Sequence, residues 1–446
     1  MNQKLHDILN LLGDFVSIRT VNDPNSGERP SRENVLKIKD IIDSTIKFQS
    51  ELIERNGYYT IYGEVGSGEP ILLLLAHFDT VPVIMEEWKT DPFKLTIVGD
   101  KAFGRGVFDD KSNLAILTYC IKNLIKERFK GTLIFAFTGD EEVGGVNGAL
   151  YVRNMLKRRN MMPHYVVNGD GQGLKVIIRR RNAFRVSIVV PEKKEICTGT
   201  LERGRINLEV SSRDTRHAAY FIPGIDKHPL LTLSEYIRWN DNLVLSKLDG
   251  GWVKSNVLPG WISFEAVNID AKGEQYAADL NLTSIIKALL PISRINIKTE
   301  FFSEYGITIT PNVYRYMSGK HLFELDIRIM TMNSDQIKAS IGQILKDLEL
   351  TSYQVRVFGG SGFLYTDKGS NIVKLALKAL ENSSLKPVTI EACGASDSRF
   401  FSPEGIQCID FGPQGGNVHG PNEYVHISSL KKAYNFYMHL LKSILK

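Results

Sequence analysis

The spacing of apolar residues along the chain predicts alternating helices and strands. Apolar side chains recur every three or four positions through residues 5–16, 35–46, 111–129 and 149–159, which is the period of amphipathic helices. Short apolar runs at 58–65, at the leucine run that ends before His77, at 132–138 and at 164–168 predict strands. Helices that alternate with buried strands favour an α/β fold with a mostly parallel central sheet.

The pattern changes near residue 179. Half-exposed strands are predicted at 184–190, 206–211 and 322–330, and helices at 230–239 and 335–348, whereas residues 240–300 give no clear pattern. After Gly359-Gly360 the first pattern resumes, with helices at 371–381 and 430–445. We therefore expect one α/β domain made of residues 1–178 and 359–446, interrupted by an inserted α+β domain of residues 179–358 with an antiparallel sheet.

Composition narrows the possible functions. The 446 residues are 43% hydrophobic and 24% charged, as in ordinary globular proteins, and the net charge is only +5. The basic clusters are short, so we expect no nucleic-acid partner. No apolar run reaches the roughly 20 residues of a membrane span, and no segment resembles a signal peptide. The four cysteines form no CxxC pair, which favours reduced thiols in a cytoplasmic protein.

The leucine strand ends in two polar residues that point to the same side. His77 and Asp79 are two positions apart, and side chains on a strand alternate between its faces. A histidine beside a carboxylate is typical of a metal-bound imidazole that an acid holds in place. Taken alone, this stretch is equally consistent with a solvated strand end.

Further polar clusters follow the predicted strands of the same domain: Asp109-Asp110, Asp140-Glu141-Glu142, Asp170, and His419 in a glycine-rich loop. Acids at a helix start also serve as caps, which is the alternative for the first cluster. Ligands of α/β sheets bind outside the carboxyl ends of the strands, so we expect these clusters to converge. Two histidines and several carboxylates suit zinc or a similar ion. The number of acids favours two ions about 3.5–4 Å apart that share a carboxylate.

Five motifs in order carry a family resemblance. The segments AHFDTVP, GRGVFDDK, TGDEEVGG, NGDG and FGPQGGNVHGPNEYV begin at residues 76, 104, 138, 168 and 411. This set resembles the metallopeptidases grouped with acetylornithine deacetylase, succinyl-diaminopimelate desuccinylase, aminoacylase and carboxypeptidase G. The resemblance implies a zinc-peptidase-like catalytic domain and an inserted lid domain that often forms a dimer interface. We therefore expect a homodimer through the inserted domain.

The resemblance also implies roles for the clustered residues. Two divalent metal ions are expected, zinc first, with cobalt or manganese as alternatives. Asp79 would orient its neighbouring histidine, and Glu141 would be the general base on the attacking water. Asp109 would bridge the two ions, His77 and Asp170 would complete one site, and Glu142 and His419 would complete the other.

The inserted domain and one later loop supply the expected substrate contacts. His217, in Arg216-His217-Ala218-Ala219, resembles the lid histidine of the family and is expected to act in catalysis. Asn312, Arg328 and Gly394 resemble residues that meet the substrate, with a forked arginine suited to its carboxylate. The alternative for Arg328 is an ion pair within the lid.

These features predict a two-metal amide hydrolase that removes an acyl group, acetyl or succinyl, from an N-acylated amino acid or short peptide. A dipeptidase or aminopeptidase of the same family is the alternative enzyme, although no residue here is assigned to a free α-amine. A relative that binds a metal or an amino acid without turnover is disfavoured because Glu141 and every expected ligand are present. The sequence leaves open which acyl group is removed and whether the lid closes on its own subunit or on a partner.

Overall fold

The computed structural model describes residues 3–23, 26–211, 216–270 and 272–445. The chain forms two compact units, one of Met1–Arg180 with Phe363–Lys446 and one of Arg181–Gly362. In the described part of the chain, no helix combines the length and the apolar character that crossing a bilayer requires.

The first unit begins with helices and strands that alternate. Its first stretch holds helices α1 (Gln3–Ser17), α2 (Arg32–Ile46), α3 (Lys111–Leu124) and α4 (Ala149–Arg158), with strands β1 (Glu51–Arg55), β2 (Tyr58–Ser67), β3 (Ile71–His77), β4 (Thr96–Val98), β5 (Lys101–Phe103), β6 (Gly131–Thr138), β7 (Tyr165–Asn168) and β8 (Val176–Arg180). The predicted strands and helices of this stretch are confirmed, except that α3 ends at Leu124 rather than near residue 129. Charged residues follow at 126–128, and the apolar period stops there.

The second unit holds strands β9 (Asn182–Pro191), β10 (Lys194–Asn207), β11 (Leu243–Gly250), β12 (Trp261–Ile269), β13 (Glu274–Asp279), β14 (Thr308–Met317), β15 (Lys320–Ile329) and β16 (Gln354–Gly359), with helices α5 (Pro229–Trp239), α6 (Leu280–Ser293) and α7 (Ser334–Asp347). They form two four-stranded antiparallel sheets, β11-β12-β10-β13 and β14-β15-β9-β16. The strand predicted at 206–211 is wrong, because β10 ends at Asn207. The unpatterned 240–300 region contains β11 to β13 and α6.

The chain then returns to the first unit with β17 (Leu364–Tyr365), α8 (Asn371–Asn382), β18 (Thr389–Ala392), β19 (Gln407–Asp410), β20 (Gly415–Gly416), β21 (Tyr424–His426) and α9 (Ile427–Ile444). The large sheet has the order β1-β2-β6-β3-β7-β19-β8-β17, with β18 beside β8. Its central strands β6, β3, β7 and β19 are parallel, whereas β1, β2 and β17 pair antiparallel. The sheet is therefore mixed: β8 is antiparallel to β19 but parallel to β18, so the expected mostly parallel arrangement holds for the four central strands and for this one further pair.

Strand β3 lies at the middle of this sheet with apolar cores on both faces. Leu72 and Leu74 pack into the core that contains α1, α2, α3, α8 and α9, whereas Leu73 and Leu75 pack against α4 and the loops on the other face. This two-sided burial explains why the strand is an uninterrupted run of leucines. Because β6, β3, β7 and β19 run in the same direction, the residues that follow them emerge at one edge of the sheet.

Candidate metal centre and active site

His77 is the last residue of β3, and its imidazole is held between two carboxylate residues. The side chain is 2% exposed, and Nε2 lies 2.9 Å from Oδ1 of Asp109. On the other side of the ring, Nδ1 lies 3.0 Å from the backbone oxygen of Asp79 and 3.5 Å from its Oδ1. Burial lowers the pKa of His77, but hydrogen bonds to Asp109 and Asp79 outweigh this and hold it well above the usual value. The imidazole is thus fixed with Nε2 toward the other candidate ligands.

Asp79 connects the histidine to the loop after β6. Its buried carboxylate accepts hydrogen bonds from the backbone N–H groups of Glu141 and Glu142, both at 3.2 Å. The amide of Asn22 donates to Asp79 Oδ2 across 2.6 Å and to the backbone oxygen of Gly139 across 2.9 Å. Asp79 therefore fixes the position of the acidic turn as well as that of His77. Sequence reasoning missed Asn22, which lies in a loop with no pattern of its own.

Asp109, Glu142 and His419 come together from three different loops. His419 Nε2 lies 3.1 Å from Oδ2 of Asp109 and 3.0 Å from Oε2 of Glu142. His77, Asp109 and Glu142 offer ligand atoms that all lie within 4.8 Å of one another. Asp109 thus contacts one histidine through each of its two oxygens, as a bridging carboxylate would.

The surroundings of Glu142 fit a divalent cation. Its Oε1 is buried and accepts no hydrogen bond from any residue that the structure describes. Burial raises the pKa of Glu142 to about 7; the His419 imidazole opposes this rise, and the Asp109 carboxylate adds to it. A buried carboxylate oxygen without a donor is costly in a folded protein. Imidazole nitrogen and carboxylate oxygen are also the ligand atoms that zinc and related ions prefer. The residues present therefore fit a metal ion.

Asp170 follows β7, at the same edge of the sheet. Its Oδ1 lies 3.7 Å from Nη2 of Arg180, and its backbone oxygen also accepts a hydrogen bond from that nitrogen. Burial raises the pKa of Asp170 well above its ordinary value, and the Arg180 charge opposes the rise. Arg180 is itself held by Asp410, whose Oδ2 accepts from Nε across 2.6 Å. This places a buried cation beside the fifth expected ligand.

The two adjacent glutamates of the acidic turn have different partners. Whereas Glu142 contacts His419, Glu141 Oε1 accepts a hydrogen bond from Nη1 of Arg399 across 3.1 Å. Nη2 of this buried arginine lies 3.5 Å from Oδ1 of Asp397. Sequence reasoning missed Arg399, which lies five residues after Gly394.

In the second unit, His217 precedes a short 3-10 turn, Ala218–Tyr220, and caps it. Its Nδ1 accepts the backbone N–H of Ala219 across 3.1 Å, so the neutral ring carries its proton on Nε2. The amide nitrogen Nδ2 of Asn256 lies 3.3 Å from Nε2; both atoms are donors in this tautomer, so a hydrogen bond here requires the amide to turn its oxygen toward the ring. The backbone oxygen of Asn256 accepts from the N–H of Ala218 across 2.9 Å. The histidine is therefore held against the segment that contains Asn256, which sequence reasoning also missed.

The other predicted substrate contacts are occupied by protein groups. Arg328, 6% exposed, donates from Nε and Nη2 to the two oxygens of Asp326 across 2.8 and 2.9 Å, which is the lid ion pair considered as the alternative. The amide nitrogen of Asn312 donates to the backbone oxygen of Ser255 across 2.5 Å and to Thr310 Oγ1 across 3.0 Å.

His228 Nε2 lies 3.1 Å from Oδ1 of Asn312, which completes the contacts of that amide. In the first unit, the backbone oxygen of Gly394 accepts from Nη1 of Arg180 across 3.1 Å. The three expected substrate-binding residues thus make hydrogen bonds within their own unit, as does His217, the expected catalytic residue.

Comparisons with known proteins find similar chains along almost the whole length of this one. A succinyl-diaminopimelate desuccinylase of Nautilia profundicola is 25% identical over 438 residues, which cover 98% of this chain and 99% of the relative. An aminoacylhistidine dipeptidase from Vibrio alginolyticus has a similar fold, with a TM-score of 0.70 at 15% identity over 99% of this chain and 97% of the other. YXEP of Bacillus subtilis, described as a dinuclear metal-binding peptidase of the M20 family, has a TM-score of 0.52 at 13% identity over 100% and 99% of the two chains.

The sequence profile of one family covers most of the chain. It matches residues 73–443, a range that includes all five expected metal ligands, Glu141 and the whole second unit. The chain therefore belongs to peptidase family M20/M25/M40 and is a hydrolase of that family.

Proposed function

We propose that this protein is a two-metal-dependent hydrolase that removes an acetyl or succinyl group from the amino nitrogen of an N-acylated amino acid. The observation that carries the proposal is the cluster of His77, Asp109 and Glu142, whose ligand atoms lie within 4.8 Å of one another beside the Arg399-held carboxylate of Glu141. The desuccinylase relative supports the choice of acyl removal.

The proposed metal ligands are His77, Asp109, Glu142, Asp170 and His419, with Asp109 shared between two ions. Zinc is proposed as the native metal because the set mixes imidazole and carboxylate without thiolate. Such ions, when bound, polarise the amide carbonyl and make a water molecule acidic enough to react near neutral pH.

The remaining chemistry belongs to side chains of this protein. Glu141 accepts the proton of the water that attacks the amide carbon, and it then delivers this proton to the departing amine nitrogen. Its hydrogen bond from Arg399 gives the carboxylate a fixed partner that is not one of the proposed metal ligands. His217 would donate from Nε2 to the oxygen that gains negative charge when the carbonyl becomes tetrahedral.

The substrate carboxylate is proposed to bind near Arg328. The pair of hydrogen bonds to Asp326 uses Nε and Nη2 and leaves Nη1 for a substrate oxygen. Asn312 would have to exchange a hydrogen bond with Ser255 or Thr310 in order to meet the substrate. Gly394 would instead contact the substrate through its backbone, since glycine has no side chain.

We also propose a homodimer formed through the second unit and a cytoplasmic location. The location is supported by Cys120, Cys197 and Cys408, which are free thiols. Light scattering on the purified protein tests the dimer directly, because it measures the mass in solution.

The experiment that tests the function is a turnover screen of zinc-loaded protein on three substrate sets: N-acetyl amino acids, N-succinyl amino acids and dipeptides with a free α-amine. We expect release of acetate or succinate from one of the first two sets and none from the Glu141→Gln variant. Turnover confined to dipeptides would replace the proposed deacylase with a dipeptidase. Absence of turnover on all three sets by protein that holds two zinc ions would refute the proposal.

A further inference from the structure

A buried carboxylate outside the candidate ligand set organises the loop that carries Asp109. Glu423 is 1% exposed and lies just before β21. Its two oxygens accept four hydrogen bonds: from the backbone N–H of Gly106 at 2.9 Å, of Phe108 at 2.8 Å and of Asp109 at 3.0 Å, and from Nη1 of Arg105 at 2.7 Å. The last of these backbone donors belongs to the central residue of the metal cluster.

Arg105 extends this arrangement to a second candidate ligand. Its side chain is 3% exposed, and Nη2 lies 3.4 Å from the backbone oxygen of His419 and 3.4 Å from that of Pro82. The backbone oxygen of Glu423 in turn accepts the N–H of Gly104 across 3.2 Å. One buried ion pair therefore joins the loop that carries Asp109 to the loop that carries His419.

The conformation of the first loop explains why an anion is needed there. Gly106 has a φ of 79°, and a Cβ at this position would lie 2.6 Å from Thr80 Cγ2, so the backbone takes a form that few residues adopt. The backbone N–H groups of Gly106, Phe108 and Asp109 converge on the Glu423 carboxylate. Convergent backbone N–H groups of this kind bind anions. A buried ion pair adds little stability over apolar packing, so these contacts have their main effect on geometry.

We propose that Glu423, together with Arg105, is a positioning residue for the divalent ion between Glu142 and His419. The inference rests on the proposed two-metal function. Asp109 Oδ2 and His419 Nε2 are 3.1 Å apart, and each residue is held through its backbone by one member of the Arg105–Glu423 pair. Loss of the pair would let the two ligands separate while leaving their side chains chemically intact.

The test measures zinc affinity rather than activity alone. Metal-free protein is titrated with zinc in competition with a chromophoric chelator, for the wild type and for Glu423→Gln. The amide keeps the size of the side chain but removes the charge and turns an NH₂ group toward backbone donors. We expect one of the two zinc sites to lose about 10- to 100-fold in affinity, as is usual when a residue that orients a metal ligand is changed. The other site should change less.

Asp43→Asn is the matched control. Asp43 is a partly buried carboxylate, 11% exposed, that likewise accepts from a cation and a backbone N–H, since Lys39 Nζ lies 2.6 Å away and the N–H of Ser50 lies 3.1 Å away. It belongs to α2 and holds no candidate ligand, so both zinc affinities should stay at the wild-type values even if its melting temperature falls. Equal zinc losses in both variants would mean that Glu423 acts only through overall stability, and would overturn the inference.

Other outcomes separate this inference from the proposed function. If Glu423→Gln does not fold, Arg105→Lys is used as the test variant instead. Lysine keeps a positive charge beside Glu423, but it has no second nitrogen with which to reach the backbone oxygen of His419. A loss of about 10-fold at one of the two sites is then expected. Unchanged zinc affinity in a folded variant overturns the role of Glu423 and leaves the two-metal function intact. If zinc binding by the variant weakens as expected but the zinc-loaded wild type turns over no substrate, the positioning role of Glu423 is supported and the proposed function is refuted. A wild type that binds no zinc overturns both.

Discussion

Arg399 donates a hydrogen bond from Nη1 to Oε1 of Glu141 across 3.1 Å, and this contact separates two glutamates that are neighbours in the chain. Glu142, one residue later, lies 3.0 Å from Nε2 of His419. A general base must lie beside the metal ligands without being one of them. The arginine gives Glu141 a partner of its own and so favours it as the base, with Glu142 as the ligand.

The first prediction concerns Glu141→Gln. Glutamine keeps the size of the side chain and can still accept from Arg399, but it cannot take a proton from water. We expect kcat to fall by about 10²- to 10⁴-fold, the usual contribution of a positioned acid–base group. Steady-state kinetics measure the loss, and elemental analysis of the same samples should find unchanged metal content.

Glu142→Gln is the control for this assignment, since it should lose metal as well as activity. The roles would be reversed if Glu141→Gln kept normal turnover while Glu142→Gln abolished turnover and still bound both ions.

The second prediction concerns metal stoichiometry. Asp109 contacts His77 through Oδ1 and His419 through Oδ2, so one carboxylate faces both halves of the cluster. We expect two zinc ions per chain after dialysis against zinc, and fewer than two in Asp109→Asn. The neutral amide of asparagine lacks the negative charge that a group shared between two cations needs. Elemental analysis counts the ions. A wild type that never holds more than one, even with zinc in excess, contradicts the bridging role.

The third prediction concerns His217→Ala. The ring carries its proton on Nε2 because Nδ1 accepts from Ala219, so Nε2 is the nitrogen that can donate to a developing oxyanion. We expect kcat to fall by about 10²- to 10³-fold, the size of a lost oxyanion donor, with both metal ions retained. Steady-state kinetics with elemental analysis test this. Full activity of the variant would contradict the role.

Mixing His217→Ala subunits with Glu141→Gln subunits tells which chain supplies the histidine. If the donor acts across a dimer, mixed dimers regain one working site, whereas a donor within the same chain leaves the mixture inactive. Mass spectrometry of the exchanged dimers is needed, so that an inactive mixture is not confused with one that failed to exchange.

The fourth prediction concerns the pH dependence of stability. Burial lowers the pKa of His228 to about 4 from 6.5, and the hydrogen bond to Asn312 opposes this only in part. His228 is harder to protonate in the folded state than in the unfolded state. Its contribution to the free energy of unfolding is therefore fully present above pH 6.5 and is lost as pH falls toward 4. This shift corresponds to roughly 3 kcal/mol over the whole range.

His228→Gln tests this because glutamine retains a donor for Asn312 but does not titrate. We expect the wild-type melting temperature to fall more steeply than that of the variant between about pH 7 and about pH 4.5, since only the wild type takes up this proton on unfolding. Parallel melting curves across that range would mean that His228 does not titrate as its burial requires.

The sequence by itself determined the centre of the first unit. Four consecutive leucines predict a strand buried on two faces, and β3 has apolar cores on both sides. The same local pattern located β6 and β7, and hence the polar residues that follow them. The structure brings His77, at the end of β3, and Glu142, after β6, together with Asp109 and His419, which lie in the loops before α3 and after β20. Local signals were enough here because burial and strand direction act on each segment separately.

Only the tertiary structure decided the partners of these residues. Glu141 and Arg399 are 258 positions apart, and Glu423 and Phe108 are 315 apart, so no periodicity links them. The antiparallel edges of the large sheet and the strands of the 240–300 region were likewise not predicted. Their burial depends on neighbouring strands from distant parts of the chain rather than on their own alternation of polar and apolar residues. The hydrophobic pattern indicates which face of a segment is buried. Which of the two adjacent glutamates is favoured as the general base depends instead on the charge of Arg399, which only folding brings next to Glu141.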